Sequence, residues 1–240
     1  MALAQALFMD YGSADLSLTF VEKSSYFYIP TETGITVDIP IPSSAQAGDL
    51  LVITAIFDNT TLSWNSFDSN SNSSTVISST ASTFTVNGAN YYLIYDGSAT
   101  YVRVTQATSQ SPDNRAGSLM VFRPSSSIST ISIAGSVIDL APSLNNSITL
   151  SGLSAVPSGS VRLVMAVGSS RVTGAGDIND VYYLNLTASA SGWDLTENTT
   201  NEMQMGYLIE PEGTSWTTTT SSVPADENNH LLSLYALDIS

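Results

Sequence analysis

Two stretches of the same shape decide the fold: AQAGDLLVITAIF at residues 45–57 and VPSGSVRLVMAVG at residues 156–168. Each sets a glycine (Gly48, Gly159) and a polar residue ahead of a near-continuous apolar strand. Three further landmarks follow both stretches in the same order. LSW ends at Trp64 and SGW ends at Trp193. YYLIYDGSATYVRV (91–104) matches GYLIEPEGTSWTTT (206–219), sharing Tyr-Leu-Ile, a turn with glycine and an aromatic shortly after it. SPDNRAGSLMVF, ending at Phe122, matches VPADENNHLLSLY, ending at Tyr235. The offsets differ: 111 residues for the glycines, 129 for the tryptophans and 115 for Tyr92 and Tyr207. Loops tolerate changes of length better than strands do, so an internally duplicated strand set is expected.

Pro124 to Ser136 connects the two rounds and contains the β-formers Ile128, Ile131 and Ile133, so it is not a clean linker. One compact unit is therefore expected over two tandem sandwiches. The expected divisions are an N-terminal arm over 1–25, a first sandwich repeat over 26–124 and a second over 125–240.

The 240 residues include 40 Ser and 26 Thr, with 42% hydrophobic and only 11% charged positions. Hydroxyls therefore supply most of the polar surface. Ser and Thr compete with the helical backbone for hydrogen bonds, and Thr is stiff at χ1 and suits strands. Short alternating runs recur at 35–39, 50–57, 83–86, 91–95, 101–105, 118–122, 131–133, 147–150, 161–167, 182–186, 203–209, 215–219 and 231–237. Apolar spacing of helical period is absent over any window longer than about ten residues. The fold class is all-β, a jelly-roll-like or immunoglobulin-like sandwich. The segment 65–80 reads as the most loop-like.

Charge and composition exclude several functions. Six Lys and Arg against 21 Asp and Glu give a net charge of −15, so no basic patch for nucleic acid is expected. Without cysteine there is no disulfide framework, thiolate zinc site or thiol chemistry. His230, alone among Asn228, Asn229 and Leu231, reads as a structural histidine. Residues 1–8 (MALAQALF) lack the basic start of a secretory signal and reach Asp10 early, so assembly inside a cell without export is expected. No run approaches the roughly 18 apolar residues of a membrane span, and no membrane partner is expected. The sequons at Asn59, Asn72, Asn145, Asn185 and Asn198 read as products of the composition.

The candidate sites are sparse. Asp68, Asn70 and Asn72 have the alternate spacing of a calcium loop, but Ser73 replaces its glycine and Ser79 its closing glutamate. Asp177 with Asp180, and Asp226 with Glu227, read as solvated loops, so neither metal nor cofactor is expected. Glu210 and Glu212 flank Pro211 with no second carboxylate set opposite them. No G-x-S-x-G motif accompanies His230. No catalytic residue is expected, and the chain reads as a non-enzyme. Trp64 and Trp193 read as core or core-edge packing because they recur at the same landmark. Trp216 and Tyr101 are the candidate glycan contacts. Leu16, Leu18 and Phe20 alternate in a segment with two readings: a docking arm that adds a strand to a neighbour, or a further strand of the domain's own sheet.

The series IPIPSSAQAGDLLVI, a following Trp, YYLIYDGSATYVRVTQ, GSLMVFRP and a second round ending NNHLLSLYALDIS resembles a class of β-sandwich domains encoded by tailed bacteriophages. The resemblance covers residues 35–240 and rests on strand signatures. It implies a virion component made in the host cytoplasm, in first place a capsid decoration or head-fibre protein. The implied partners are the major capsid protein or another virion structural protein, with a homo-oligomer, a trimer for preference. The alternative is a tail-fibre or tail-tip adhesin that binds a host-surface glycan.

Overall fold

A computed structural model describes residues 15–28, 36–57, 64–79, 87–106, 115–140, 147–170, 185–188, 194–196, 203–215, 218–222 and 230–240. They form β1 (Leu18–Tyr28), β2 (Thr36–Pro40), β3 (Leu50–Phe57), β4 (Trp64–Asp68), β5 (Thr75–Ser79), β6 (Asn87–Ile94), β7 (Tyr101–Gln106) and β8 (Arg115–Pro124). The second round forms β9 (Ile131–Leu140), β10 (Ser147–Ser151), β11 (Val161–Ser170), β12 (Asn185–Ala188), β13 (Asp194–Thr196), β14 (Met203–Glu210), β15 (Thr218–Ser222) and β16 (His230–Ile239). The described residues contain no helix.

The strands make a five-stranded sheet β1-β8-β3-β6-β5 with a three-stranded sheet β2-β7-β4, and then β9-β16-β11-β14-β13 with β10-β15-β12. Each strand of the second round takes the place of the strand eight before it. The antiparallel pairs are nested: β1 with β8, β2 with β7, β3 with β6, and likewise β9 with β16, β10 with β15, β11 with β14. The fold is an all-β sandwich.

Burial explains the two opening stretches. Side chains alternate across a strand. On β3, Leu50, Val52 and Ile56 enter one core while Leu51, Ile53 and Ala55 enter another. On β11, Leu163, Met165 and Val167 face the first of these cores, while Val164 and Ala166 face a third. Both strands are covered on both faces, so neither alternates regularly with polar residues, and Thr54 and Arg162 within them are buried as well. The shared core joins the two five-stranded sheets, and each three-stranded sheet covers an outer face, giving four layers of three, five, five and three strands. The layers are close: a Cβ on Gly117 of β8 would lie 2.6 Å from the Ile39 side chain on β2.

One polar group of residues interrupts the shared core. The Thr54 hydroxyl donates to Asn90 Oδ1 (2.7 Å), and Asn90 Nδ2 donates to Ser78 (3.0 Å) and, across the halves, to Ser233 (2.9 Å). Thr54, Asn90 and Ser233 are all fully buried.

Several expectations change. Of the segment 65–80 read as loop, 65–68 lie in β4 and 75–79 form β5. β5 is polar because it is an edge strand that buries only Ile77 in the core; Asp68 N donates to Asn72 O and Ser74 N to Ser66 O, so only 69–74 turns. The division at residue 25 falls inside β1, which pairs with β8 from Leu18 to Tyr28 around a bulge at Phe20/Glu22. Leu18 is buried, Leu16 packs on the shared core, and the Phe20 ring stacks on Tyr207 of β14 at 5.1 Å. Of the two readings of this segment, residues 18–28 take the own-sheet strand and not the free arm. Trp64 begins β4, whose counterpart is β12, whereas Trp193 precedes β13; the two tryptophans do not mark one strand. The expected strand at 83–86 lies outside the described residues.

With one core shared by both rounds, calorimetry is expected to show a single unfolding transition, whereas independent halves would give two. Phe20→Ala should cost about 3–5 kcal/mol by opening a cavity between the halves, and Asn90→Ala about 1–3 kcal/mol by stranding buried hydroxyls, both read from denaturant midpoints.

Candidate functional site

Two places concentrate polar chemistry. The first is a charged rung at the same end of each sandwich. In the first, Arg123 Nε and Nη2 grip the buried Asp49 carboxylate at 3.0 and 2.8 Å, and Nη2 also donates to Ser44 O. In the second, Arg162 Nε and Nη2 grip Asp238 at 2.6 and 2.9 Å, and Nη1 donates to Ser154 O. Aligning Tyr92 on Tyr207 puts Asp49 where Arg162 stands and Arg123 where Asp238 stands. The rung is retained with its charges exchanged. The same alignment sets Phe122 against Leu237 and not against Tyr235.

The second rung carries an extra acid. Arg162 pairs with Glu210 of β14 on one side and with Asp238 of β16 on the other. Arg162 is fully buried, Glu210 is 5% exposed, and Glu210 Oε2 has no hydrogen-bond partner. One guanidinium thus faces two carboxylates. Desolvation raises the Glu210 pKa, Arg162 opposes this, and Asp238 adds to it. Glu212, two residues on, is exposed and accepts from Gly159 N and Ser158 Oγ, which hold its pKa down. One of these glutamates points inward and the other closes a surface turn, so they form no facing pair.

The second place is the end of the first sandwich, where the β4–β5 turn meets the β6–β7 loop. Buried Asp68 accepts from the Asn70 and Asn72 backbones through Oδ1, at 2.8 and 2.9 Å, and from Asn72 Nδ2 through Oδ2 at 2.9 Å. Exposed Asp96 accepts Asn70 Nδ2 and Asn72 Nδ2 at Oδ2, and the Ser98 and Ala99 backbones at Oδ1. The Asn70 amide and these backbone N–H groups hold the Asp96 carboxyl well below the usual carboxylate range. Ser71 takes φ +69 at the tip of the turn. The aspartate and asparagines at calcium-loop spacing are therefore brought together, but as a hydrogen-bonded cap; among the described residues no three His, Cys, Asp or Glu are grouped for a metal. The sequence signal was the D-x-N-x-N spacing itself. What it concealed was Asp96, supplied from 24 residues away.

Tyr101 opens β7 beside this cap. Ser69 N donates to Tyr101 O, and Thr100 N donates to Ser69 Oγ. The Arg103 guanidinium lies 5.2 Å from the Tyr101 ring centroid and is held by both oxygens of Asp38 at 2.6 Å. Trp216, Asp177, Asp180, Asp226 and Glu227 lie outside the described residues, as do the side chains of Trp64 and His230. Leu16, Leu18 and Phe20 belong to the shared core and are remote in role from Tyr101. A groove of about 380 Å³ opens beside the first rung, lined by Gln46, Gly48, Ile94, Arg123, Ser127 and Ile128 among others.

The chain matches no protein-family model and no curated protein sequence.

A group whose folded pKa is raised stabilises the fold below its unfolded pKa and loses that contribution as pH rises through the folded value. The Glu210 contribution is therefore complete below the usual carboxylate pKa and is lost as pH rises through the raised folded value. Glu210→Gln should stabilise the protein above that value and flatten the gain in midpoint expected of the native chain as pH falls through it, followed by denaturation at several pH values. Arg162→Met, which strands the buried Glu210 and the partly buried Asp238, should cost about 3–5 kcal/mol at pH 7.

Proposed function

We propose that the chain is a structural protein of a tailed-phage particle, in first place a capsid decoration or head-fibre protein. The observation that carries this is the set of three nested strand pairs, made twice and docked through the five-stranded sheets. The three nested pairs of each round are similar to those of a jelly roll, a sandwich type that recurs in viral capsid and lectin domains, although β5 pairs with β6 and not with β4. The warrant is an analogy of fold joined to the strand signatures of the sequence. The acidic, hydroxyl-rich surface supports the same reading, because like-charged particles stay dispersed. Three of the five arginines are spent on internal pairs with Asp38, Asp49 and Asp238, so they do little to offset the surface acids.

The grip on the particle, in this reading, is a sheet edge. Residues 18–28 already pair with β8. Among the described strands, β5 and β9 end their five-stranded sheets and carry the exposed Val76 and Ile133. Unpaired backbone groups on such edges are templates for another chain. The partner is the major capsid protein or another virion structural protein, and the protein acts without catalysis, as a homo-oligomer with a trimer favoured. The second reading, a tail-fibre or tail-tip adhesin, rests on the partly exposed Tyr101 beside its polar cap.

Light scattering on the purified chain and co-sedimentation with emptied particles test the first reading. The native chain should bind shell, and Ile133→Lys or Val76→Lys should weaken binding or self-association about tenfold without lowering the unfolding midpoint. Failure of the native chain to bind shell while it binds whole host cells would overturn it in favour of the adhesin.

A further inference from the structure

The repeat relation between the two rounds extends to the margins of the shared core. Across the first five-stranded sheet, Phe20, Phe122, Leu50 and Ile94 are paired in one row, and the equivalent row of the second is Ile133, Leu237, Leu163 and Ile209. The equivalence holds to the residue, because the bulge beside Phe20 at Val21 recurs beside Ile133 at Ala134. Directly paired residues stand on the same face of a sheet, and Leu50, Phe122, Leu163 and Leu237 all belong to the shared core. Ile94 and Ile133 therefore project from the two facing sheets toward that core.

The two margins are finished differently. At one, the Phe20 ring stacks on Tyr207 and meets Phe122 edge-on, and both Phe20 and Ile209 pack against the core. At the other, where β9 lies against β5, the counterpart of Phe20 is the smaller, non-aromatic Ile133 and the counterpart of Tyr207 is Tyr92. Here Ile94 is 39% exposed and Ile133 43%, two of the three large apolar side chains that stand exposed among the described residues. The groove of about 380 Å³ borders this margin, with Ile94 and Ile128 in its wall. A position that a ring fills on one side is an apolar gap on the other.

We propose that this margin is a docking niche for an aromatic side chain of a partner protein, stacked on Tyr92 between Ile94 and Ile133 as Phe20 is stacked on Tyr207. The filled margin shows the chemistry of the occupant. A ring supplies large apolar area together with a stacking contact to tyrosine, and an aliphatic side chain supplies only the first. The ring comes from a different protein, because none of the exposed large apolar side chains among the described residues is aromatic and two copies of net charge −15 repel each other. For the same reason the docking segment carries no acid beside its ring. The choice of partner rests on the docking reading above, whereas the niche itself does not.

The test is an NMR titration of the ¹⁵N-labelled full chain with the acetylated tripeptide amides Gly-Phe-Gly, Gly-Trp-Gly and Gly-Leu-Gly. The Phe and Trp peptides should shift the Ile94 and Ile133 amides and bind about threefold or more tightly than the Leu peptide. Ile133→Phe should put a ring of the chain's own into the niche, raising the unfolding midpoint and weakening both aromatic peptides about tenfold or more. Ile94→Ser should weaken them about threefold or more, and it decides if Ile133→Phe fails to fold. No shift at these amides, equal binding of the Leu peptide, or peptide binding unchanged in a folded variant overturns the niche. Co-sedimentation with emptied particles reads the partner: shell binding lost in Ile133→Phe supports it, and shell binding retained there overturns the choice of shell. Dissociation of a native oligomer by the Phe peptide, seen by light scattering, overturns the choice of a different protein in favour of a second copy. If the native chain binds no shell, the docking reading fails and the niche is still decided by the peptides.

Discussion

The shared core between the two five-stranded sheets is the constraint on which the rest depends. A single sheet with one apolar face must bury that face against another layer. Here β3 and β11 are apolar on both faces, so neither round could expose its five-stranded sheet to water. Each needs a three-stranded sheet on one side and the other round on the second. Transfer of apolar area at about 25 cal/mol per Å² then acts across both halves at once, and Phe20, Phe122 and Tyr207 close the seam with ring contacts at 5.1 to 5.8 Å.

Apolar faces alone leave the relative placement of two sheets loosely specified, and the polar residues supply the remainder. Asn90 reaches from β6 to Ser233 on β16, a bond that only one placement of the halves satisfies. In a dry interface a missed hydrogen bond is costly, so alternative dockings are penalised. The end rungs do the same within each round. A bidentate guanidinium ties the start of a central strand to the end of its neighbour, and it works with the charges in either order. The second rung departs from balance through Glu210, where its counterpart in the first sandwich is Tyr95, whose hydroxyl donates to Ala99 O at 2.9 Å. That one replacement puts a buried carboxyl with a raised pKa in the second half.

Stability is thus held inside, and the outside is left to small hydroxyls, amides and unopposed acids. Such a surface carries net negative charge and offers few basic anchors. At the end of the first sandwich, Asp68 and Asp96 use their oxygens to hold two asparagines in place.

The strand density, the all-β class and the two doubly buried strands were legible because an apolar run between turn residues has few other uses: residues 50–57 were marked to the residue, and the order of the two rounds followed from their likeness. β4 and β5 were hidden in 65–80 because an edge strand with one buried side chain has the composition of a loop. The tryptophan match failed because a landmark between strands does not say which strand it serves. The arm or strand question at Leu16, Leu18 and Phe20 could not be closed by alternation, which is the same for a strand in its own sheet and a strand lent to a neighbour. Sequence by itself determined which segments are strands and which faces are apolar, since those follow from local sterics and side-chain period. Only the tertiary structure decided that the two rounds share one core, that Glu210 faces Arg162, and that Asp96 meets Asn70 and Asn72, because each depends on contacts between residues far apart in the chain.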